Sequence, residues 1–176
     1  MTTSGEIERF FNDAVRRHQS GDLQGALVAY DEVLRTDPES TDAWFNKANI
    51  LGQQKSFDQA MDCYQEALRL AKSRKELILR SMGMIEHLRG NLQRAIDLHR
   101  QALRENRRYG RGWLGLIQAL ISARRGEEAR EECQKFMLNA TVEDGALYDK
   151  ATRLVDQFLR HGIMGETGES EQQWMK

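Results

Sequence analysis

Proline is almost missing from this sequence, with one in 176 residues, while Ala, Leu, Glu, Gln and Arg dominate. Proline breaks helices, and the abundant residues lose little side-chain freedom in one, so an all-α protein is the first expectation. Cysteine is also scarce: Cys63 and Cys133 stand 70 residues apart with no neighbouring Cys or His at ligand spacing. That argues against a disulfide framework and a zinc site, and both are read as reduced helix residues. No run approaches the roughly 18 apolar residues that cross a bilayer. The polar start Met1-Thr2-Thr3-Ser4-Gly5-Glu6 has neither region of a signal peptide, so a cytoplasmic protein without membrane contact is expected. The sequon Asn139-Ala140-Thr141 would matter only in the secretory pathway and is read as chance. The length suits one domain or a short repeat array, without room for a second large domain.

Catalytic chemistry is lacking too. His18, His87, His99 and His161 are scattered without partners at a recurring spacing, so no Ser/His/Asp or Cys/His arrangement can be drawn. Gly110-Arg111-Gly112-Trp113-Leu114-Gly115 matches the glycine-rich nucleotide fingerprint in letters. That chemistry needs a strand before it and a helix N-terminus at the phosphate. Here the helix Arg94 to Glu105 is expected to precede it. The residues call for no catalytic group, cofactor or metal ion, and a non-enzyme is expected.

What is present is a repeat. Four segments align around Gly21-Asp22-Leu23-Gln24-Gly25-Ala26, Lys55-Ser56-Phe57-Asp58-Gln59-Ala60, Gly90-Asn91-Leu92-Gln93-Arg94-Ala95 and Arg124-Arg125-Gly126-Glu127-Glu128-Ala129. Their alanines are separated by 34, 35 and 34 residues. Sixteen residues before each stand Phe10, Trp44, Leu79 and Trp113, large groups able to wedge between paired helices. Four residues after it come Tyr30, Tyr64, His99 and Cys133. Seven and eight after it come Val33-Leu34, Ala67-Leu68, Ala102-Leu103 and Phe136-Met137. Positions four and seven or eight apart share one helix face, so each second helix carries an apolar stripe anchored on a small alanine.

With this period and these landmarks the sequence resembles the tetratricopeptide-repeat family, with repeats at 7–40, 41–74, 76–109 and 110–143. The resemblance covers about three quarters of the chain and implies an α-solenoid of helix-turn-helix repeats, a right-handed superhelix of about nine helices. The pattern has departures. The tyrosine frequent ten residues into a repeat is Arg17, Leu51, Glu86 and Leu120 here, and the closing proline survives only as Pro38, with Lys72 and Arg107 in its later places. The fourth turn reads Arg125-Gly126 where the others have a polar residue and then Leu or Phe, so a shift of that helix boundary is expected.

Stacked pairs leave an apolar face at each end that terminal segments must cap. Residues 1–6 form an expected N-terminal cap, with Thr3-Ser4-Gly5-Glu6 matching a capping box. Residues 144–162 form an expected capping helix through Leu147, Ala151, Leu154, Val155, Phe158 and Leu159, stopped by Gly162. Residues 163–176 are too polar and glycine-rich to pack and are expected to be a flexible acidic tail. Trp174 and Met175 follow Glu166, Glu169 and Glu171, a composition that could fold into a basic, partly apolar groove of this chain or of a neighbour.

The resemblance further implies a protein-interaction adaptor or scaffold that holds a peptide or helix of a partner in a concave groove lined by first helices. Carried over position by position, that lining is Phe11, Val15, Phe45, Asn49, Arg80, Met84, Leu114 and Gln118, with Asn46 and Arg111 beside them. Members that clamp a C-terminal carboxylate present Lys and Asn, then Asn, then Lys and Arg in successive repeats. This chain offers Asn46 or Asn49 with Arg80 or Arg111, while Phe11 and Phe45 stand where the lysine would be. Aromatic and methionine groups suit instead an amphipathic helix or an extended segment with apolar anchors.

Charge is unevenly spread. Residues 1–68 hold 6 basic and 12 acidic groups, 69–125 hold 14 and 4, and 126–176 hold 6 and 11, giving net charges of −6, +10 and −5. The central basic belt reads as a solvated surface, as a site for an acidic protein partner or self-association, or as an RNA surface. RNA recognition is the alternative function, although it would want aromatic residues among the basic ones, and between 69 and 112 only Tyr109 qualifies.

Overall fold

A computed structural model of the chain describes residues 4–161. Thr3 of the expected capping box, the stop at Gly162 and the tail at 163–176 lie outside the described residues. Among the described residues there are helices and no strand: α1 (Ser4–Gln19), α2 (Leu23–Thr36), α3 (Thr41–Gln53), α4 (Phe57–Leu70), α5 (Lys75–Leu88), α6 (Leu92–Glu105), α7 (Gly110–Ser122), α8 (Gly126–Asn139), a 3-10 turn (Val142–Asp144) and α9 (Gly145–His161). Consecutive helices pair as α1/α2, α3/α4, α5/α6 and α7/α8, each second helix meets the first helix of the next pair, and α9 lies on both α7 and α8. The chain is thus an all-α helical-repeat solenoid.

Each second helix begins three residues before its alanine, at Leu23, Phe57, Leu92 and Gly126. The reversal into it passes through left-handed backbone at equivalent places: Gly21 (φ 83°), Lys55 (φ 59°), Gly90 (φ 81°) and Arg124 (φ 59°). Two turns therefore use the residue that reaches this region at no steric cost, and two force a long cationic side chain into it. Ala26, Ala60, Ala95 and Ala129 are all 0 % exposed, as the closest approach of paired helices demands.

The fourth boundary does not shift. α8 starts in register with the other second helices because Gly126 leaves room for α9: a Cβ there would lie 2.4 Å from Phe158 Cε1 and 3.1 Å from Leu159 Cδ2. The capping helix thus supplies the apolar groups that Leu or Phe brings at that position in earlier repeats.

The other departures also have physical reasons. Where an aliphatic residue is buried at Leu51 and Leu120, the polar Glu86, 2 % exposed, accepts from Asn91 Nδ2 at 2.7 Å and pairs with Arg94 at 3.3 Å. Arg17 reaches the same distance along the chain, to Asp22 at 3.1 Å. A polar residue at this position thus satisfies itself on the residue just before the second helix. Proline is dispensable between repeats because the indoles of Trp44 and Trp113 donate to the carbonyls of Pro38 (2.9 Å) and Arg107 (2.8 Å), and a carbonyl is available from any residue. One member of the expected apolar stripe is exposed: Met137 is 54 % exposed, whereas at the same position Leu34 and Leu103 are buried and Leu68 is half-buried. After α8 the described chain supplies one helix rather than a further pair. Ser4–Glu6 belongs to α1 itself, and the capping box that forms joins Thr141 to Asp144 before α9.

The core falls into two clusters that meet in α6, which gives Leu98 and Ala102 to the first and Ala95, Ile96 and Leu103 to the second. Relieving the two strained turns tests this account. Lys55→Gly and Arg124→Gly should each stabilise by about 0.5–1 kcal/mol and raise Tm by about 1–4 °C. A thermal melt showing a fall instead would mean that those side chains hold the turns.

Candidate functional site

The first helices α1, α3, α5 and α7 carry every residue expected at the site. None is fully buried: Phe11, Val15, Phe45, Asn46, Asn49, Arg80, Met84, Leu114 and Gln118 are half-buried, and Arg111 is exposed. Behind them, three of the residues four places after an alanine, Tyr30, Tyr64 and His99, reach from the second helix to first helices, whereas the fourth, Cys133, meets Thr152 of α9.

Tyr30 meets Phe11 edge-on, with ring centroids 5.8 Å apart and planes at 73°. Its hydroxyl is buried with no partner at hydrogen-bond geometry; burial raises its pKa, and the neighbouring Asn46 amide offsets part of that. Tyr64 repeats the arrangement with a better bond. It packs on Phe45 at 5.8 Å and donates to Asn49 Oδ1 at 2.6 Å. Burial pushes its pKa up to about 12, against smaller opposing effects of Ser81 and Arg80. Asn46 and Ser81 occupy equivalent places, each 14 residues before its own alanine. The next such place is Gly115, which has no side chain to offer.

His99 consequently sits in a different setting. It is 1 % exposed, and its Nδ1 is buried without a partner. A Cβ on Gly83 of α5 would lie 2.9 Å from the ring, and one on Gly115 of α7 would lie 2.5 Å from it. The imidazole is held between two glycine backbones, and only glycine at both places admits it. Burial, with smaller contributions from the charges of Arg80 and His87, lowers its pKa to about 3. The ring is therefore neutral and acts as packing, not as a proton carrier near neutral pH.

Arg80 stands where these groups converge, since its charge acts on Tyr64, His99 and Tyr109. Tyr109 precedes α7; its hydroxyl is buried with no partner at hydrogen-bond geometry, and burial raises its pKa against the charges of Arg80 and Arg111. The structure thus gathers Phe11 with Asn46 around Tyr30, Phe45 with Asn49 and Arg80 around Tyr64, and Arg80 with Arg111 around Tyr109. Val15 packs against the first core cluster and Leu114 against the second, while Met84 and Gln118 join none of these groups. Sequence reasoning missed Ser81, Gly83, Gly115 and Tyr109. Extending the repeat register to the positions facing each inner residue would have found the first three.

The basic belt is partly used inside the molecule. Arg74 pairs with Asp42 at 2.8 Å, Arg89 with Asp58 at 2.7 Å, Arg94 with Glu86, Arg100 with Glu128 at 3.4 Å, and Arg125 with Glu128. A cleft of about 220 Å³ near Asp58, Glu86, Arg89 and Arg94 is lined by these mutually neutralising pairs and contains no expected site residue. Among the described residues no group of three or more His, Cys, Asp or Glu converges as a metal site would require, and no helix is long and apolar enough to cross a membrane.

Two measurements test the His99 setting. In guanidinium unfolding, Gly115→Ala should cost about 1–3 kcal/mol through overpacking, but in a His99→Ala background it should be neutral or stabilise by up to about 1 kcal/mol, as Gly→Ala does in helices generally. Equal effects in both backgrounds would refute the contact. The pH dependence has a definite sign: the folded pKa lies below the unfolded value, so this stability is present above about pH 6.5 and is lost as pH falls toward 3. By pH 5 the loss is about 2 kcal/mol, and His99→Leu should flatten that part of the stability–pH curve. An unchanged curve would show that His99 accepts a proton without penalty.

Comparison with known proteins agrees with this geometry. Tetratricopeptide-repeat family models match residues 41–73 and 87–144. An uncharacterized protein of Methanocaldococcus jannaschii is 29% identical over 67 residues, 38% of this chain and 78% of that protein. Similar solved structures include MamA (TM-score 0.68, 18% identity, 90% of this chain and 92% of that one) and YrrB, described as a TPR protein with an unusual peptide-binding site (TM-score 0.64, 17% identity, 86% and 84%). A tetratricopeptide repeat protein from Parabacteroides merdae gives a TM-score of 0.75 at 16% identity, over 90% of this chain and 62% of that one. Matching family models, the registered alanines and the helix pairs built on them lead to one assignment: this chain belongs to the tetratricopeptide-repeat family, and is a repeat scaffold of the kind that serves protein interaction.

Proposed function

We propose that the chain is a non-catalytic adaptor that holds a peptide or helix of a protein partner across the face formed by α1, α3, α5 and α7. The observation that carries this reading is that half-buried side chains line four successive first helices, with Phe11, Phe45 and Asn49 held from behind by Tyr30 and Tyr64, and with His99 packed against the backbones of α5 and α7. Such a surface is ordered before a ligand arrives, so less conformational freedom is lost on binding. Phe11 and Phe45 offer aromatic anchors, and Asn49 and Arg80 offer polar groups of fixed position. The likeness to YrrB, whose description names a peptide-binding site, supports the same reading. The two cysteines are free and buried, which suits a reducing compartment such as the cytosol.

RNA binding draws on the basic belt, whose cations away from the proposed face include Arg104, Arg107 and Arg108, none of them in an ion pair among the described residues. An affinity pull-down from native lysate, run in parallel on wild type and Phe45→Ala/Arg80→Glu, separates the readings. A protein enriched on wild type should be lost on the variant, with a drop in affinity of at least tenfold, or about 1.4 kcal/mol. A circular-dichroism melt should show the variant folded. Nucleic acid recovered equally on both, and released steeply by salt, would defeat the adaptor reading in favour of the belt.

A further inference from the structure

Taken as a binding face, α1, α3, α5 and α7 are not uniform. The α1–α3 half presents Phe11 and Phe45, and Lys47, the cation of α3, is committed to an ion pair with Asp31. The α5–α7 half presents Arg80 and Arg111, and neither forms an ion pair among the described residues. An acid near them, Glu76, acts on Tyr109 but accepts from Asn106 Nδ2, at 3.5 Å, and pairs with neither arginine.

Arg80 is half-buried, and its charge reaches Tyr64, His99 and Tyr109, three groups that carry no compensating negative charge. Arg111 acts on the same phenol, so two like charges from the contacting first helices α5 and α7 bear on one uncharged side chain. Partial desolvation of a cation without a counter-charge is unfavourable, and an incoming anion relieves it. A guanidinium fork matches a carboxylate in two parallel hydrogen bonds, which sets direction as well as affinity. Met84 and Leu114, half-buried on the same two helices, place apolar surface beside the cations.

We infer that the α5–α7 half takes an internal Asp or Glu side chain of the partner between Arg80 and Arg111, while the α1–α3 half takes an apolar side chain against Phe11 and Phe45. This rests on the adaptor reading and adds a polarity to it: the ligand runs from an apolar anchor at the first pairs of helices to an acid at the later ones. An internal carboxylate fits better than a terminal one, because the first-repeat place where the clamping members carry a lysine for the chain end holds Phe11.

A random twelve-residue peptide array with amidated C-termini tests this on the full chain. Wild type should retain peptides carrying Asp or Glu at a fixed spacing from an aromatic or aliphatic residue. Arg80→Glu/Arg111→Glu should bind those peptides at least tenfold more weakly and select Lys or Arg at the same position. Arg80→Gln/Arg111→Gln, a milder change, should lose the acid preference without reversing it. Phe45→Ala should weaken retention and keep the acid preference. Phe45-dependent peptides without any acid preference would overturn the inference and leave the adaptor reading standing. Peptides indifferent to Phe45 and to both arginines would overturn both. Retention only on a duplicate array with free C-termini would replace the internal carboxylate by a terminal one, and so overturn the inference as stated.

Discussion

The rest of the structure depends on the contact that Ala26, Ala60, Ala95 and Ala129 make between paired helices. Each is 0 % exposed, and each stands three residues after the start of its helix. A larger side chain would push the pair apart, at about 1–3 kcal/mol for overpacking a core site. The consequence for the face formed by the first helices is direct. Because the helices approach so closely, a residue one turn beyond the alanine is long enough to reach first helices, as Tyr30 does to Phe11 and Tyr64 to Phe45 and Asn49. With a wider separation the same tyrosines would fill the gap between helices and leave the first helices to orient their own side chains.

The third pair varies this rule without breaking it. Tyr64 has Asn49 as its acceptor, whereas His99 faces two glycines and leaves Nδ1 without a partner. A buried nitrogen left in this way costs on the order of 1–3 kcal/mol. The cost stays local because each repeat contacts mainly its neighbours, and stability sums over intrinsic and nearest-neighbour contributions. His99 also lies on α6, the helix through which the two core clusters meet. Where one cluster gives way to the next, a flat ring between backbones is thus packed beside the aliphatic groups of α6.

Much of this was legible in the sequence, and the limits are informative. The alanine period, the wedge at Trp44, Leu79 and Trp113, though not at Phe10, which is exposed, and the apolar spacing of α9 could be read because each recurs at a separation set by helix geometry or by the repeat. The register of α8 was misjudged because Gly126 was compared with Leu23, Phe57 and Leu92, whereas the group that fills its place, Phe158, lies on another helix. The exposure of Met137 was missed for a related reason: burial at that position is decided by the element packed next to α8, not by the residue itself. For the proposed binding face, the sequence could nominate residues on first helices but not the contacts that hold them, since Arg80 and Tyr109 meet only through the packing of α5 on α7.

The uneven charge had two meanings that sequence alone could not separate, and the architecture separates them. Every belt arginine that finds a carboxylate in another repeat or across a turn sits on a second helix or in a loop: Arg74, Arg89, Arg94 and Arg100. The belt arginines on first helices, Arg80 and Arg111, find none among the described residues. Exposed pairs of this kind contribute only about 0–1 kcal/mol each, so stability alone gives little reason to gather so many cations in one stretch. Registration between neighbouring repeats gives a better one, because Arg74–Asp42 and Arg89–Asp58 span 32 and 31 residues, a little less than one period. Acidic flanks and a basic centre satisfy one another at the turns, and positive charge is left where a first helix has no acid to meet it. The same segregation that ties the repeats together therefore gives their open face its sign.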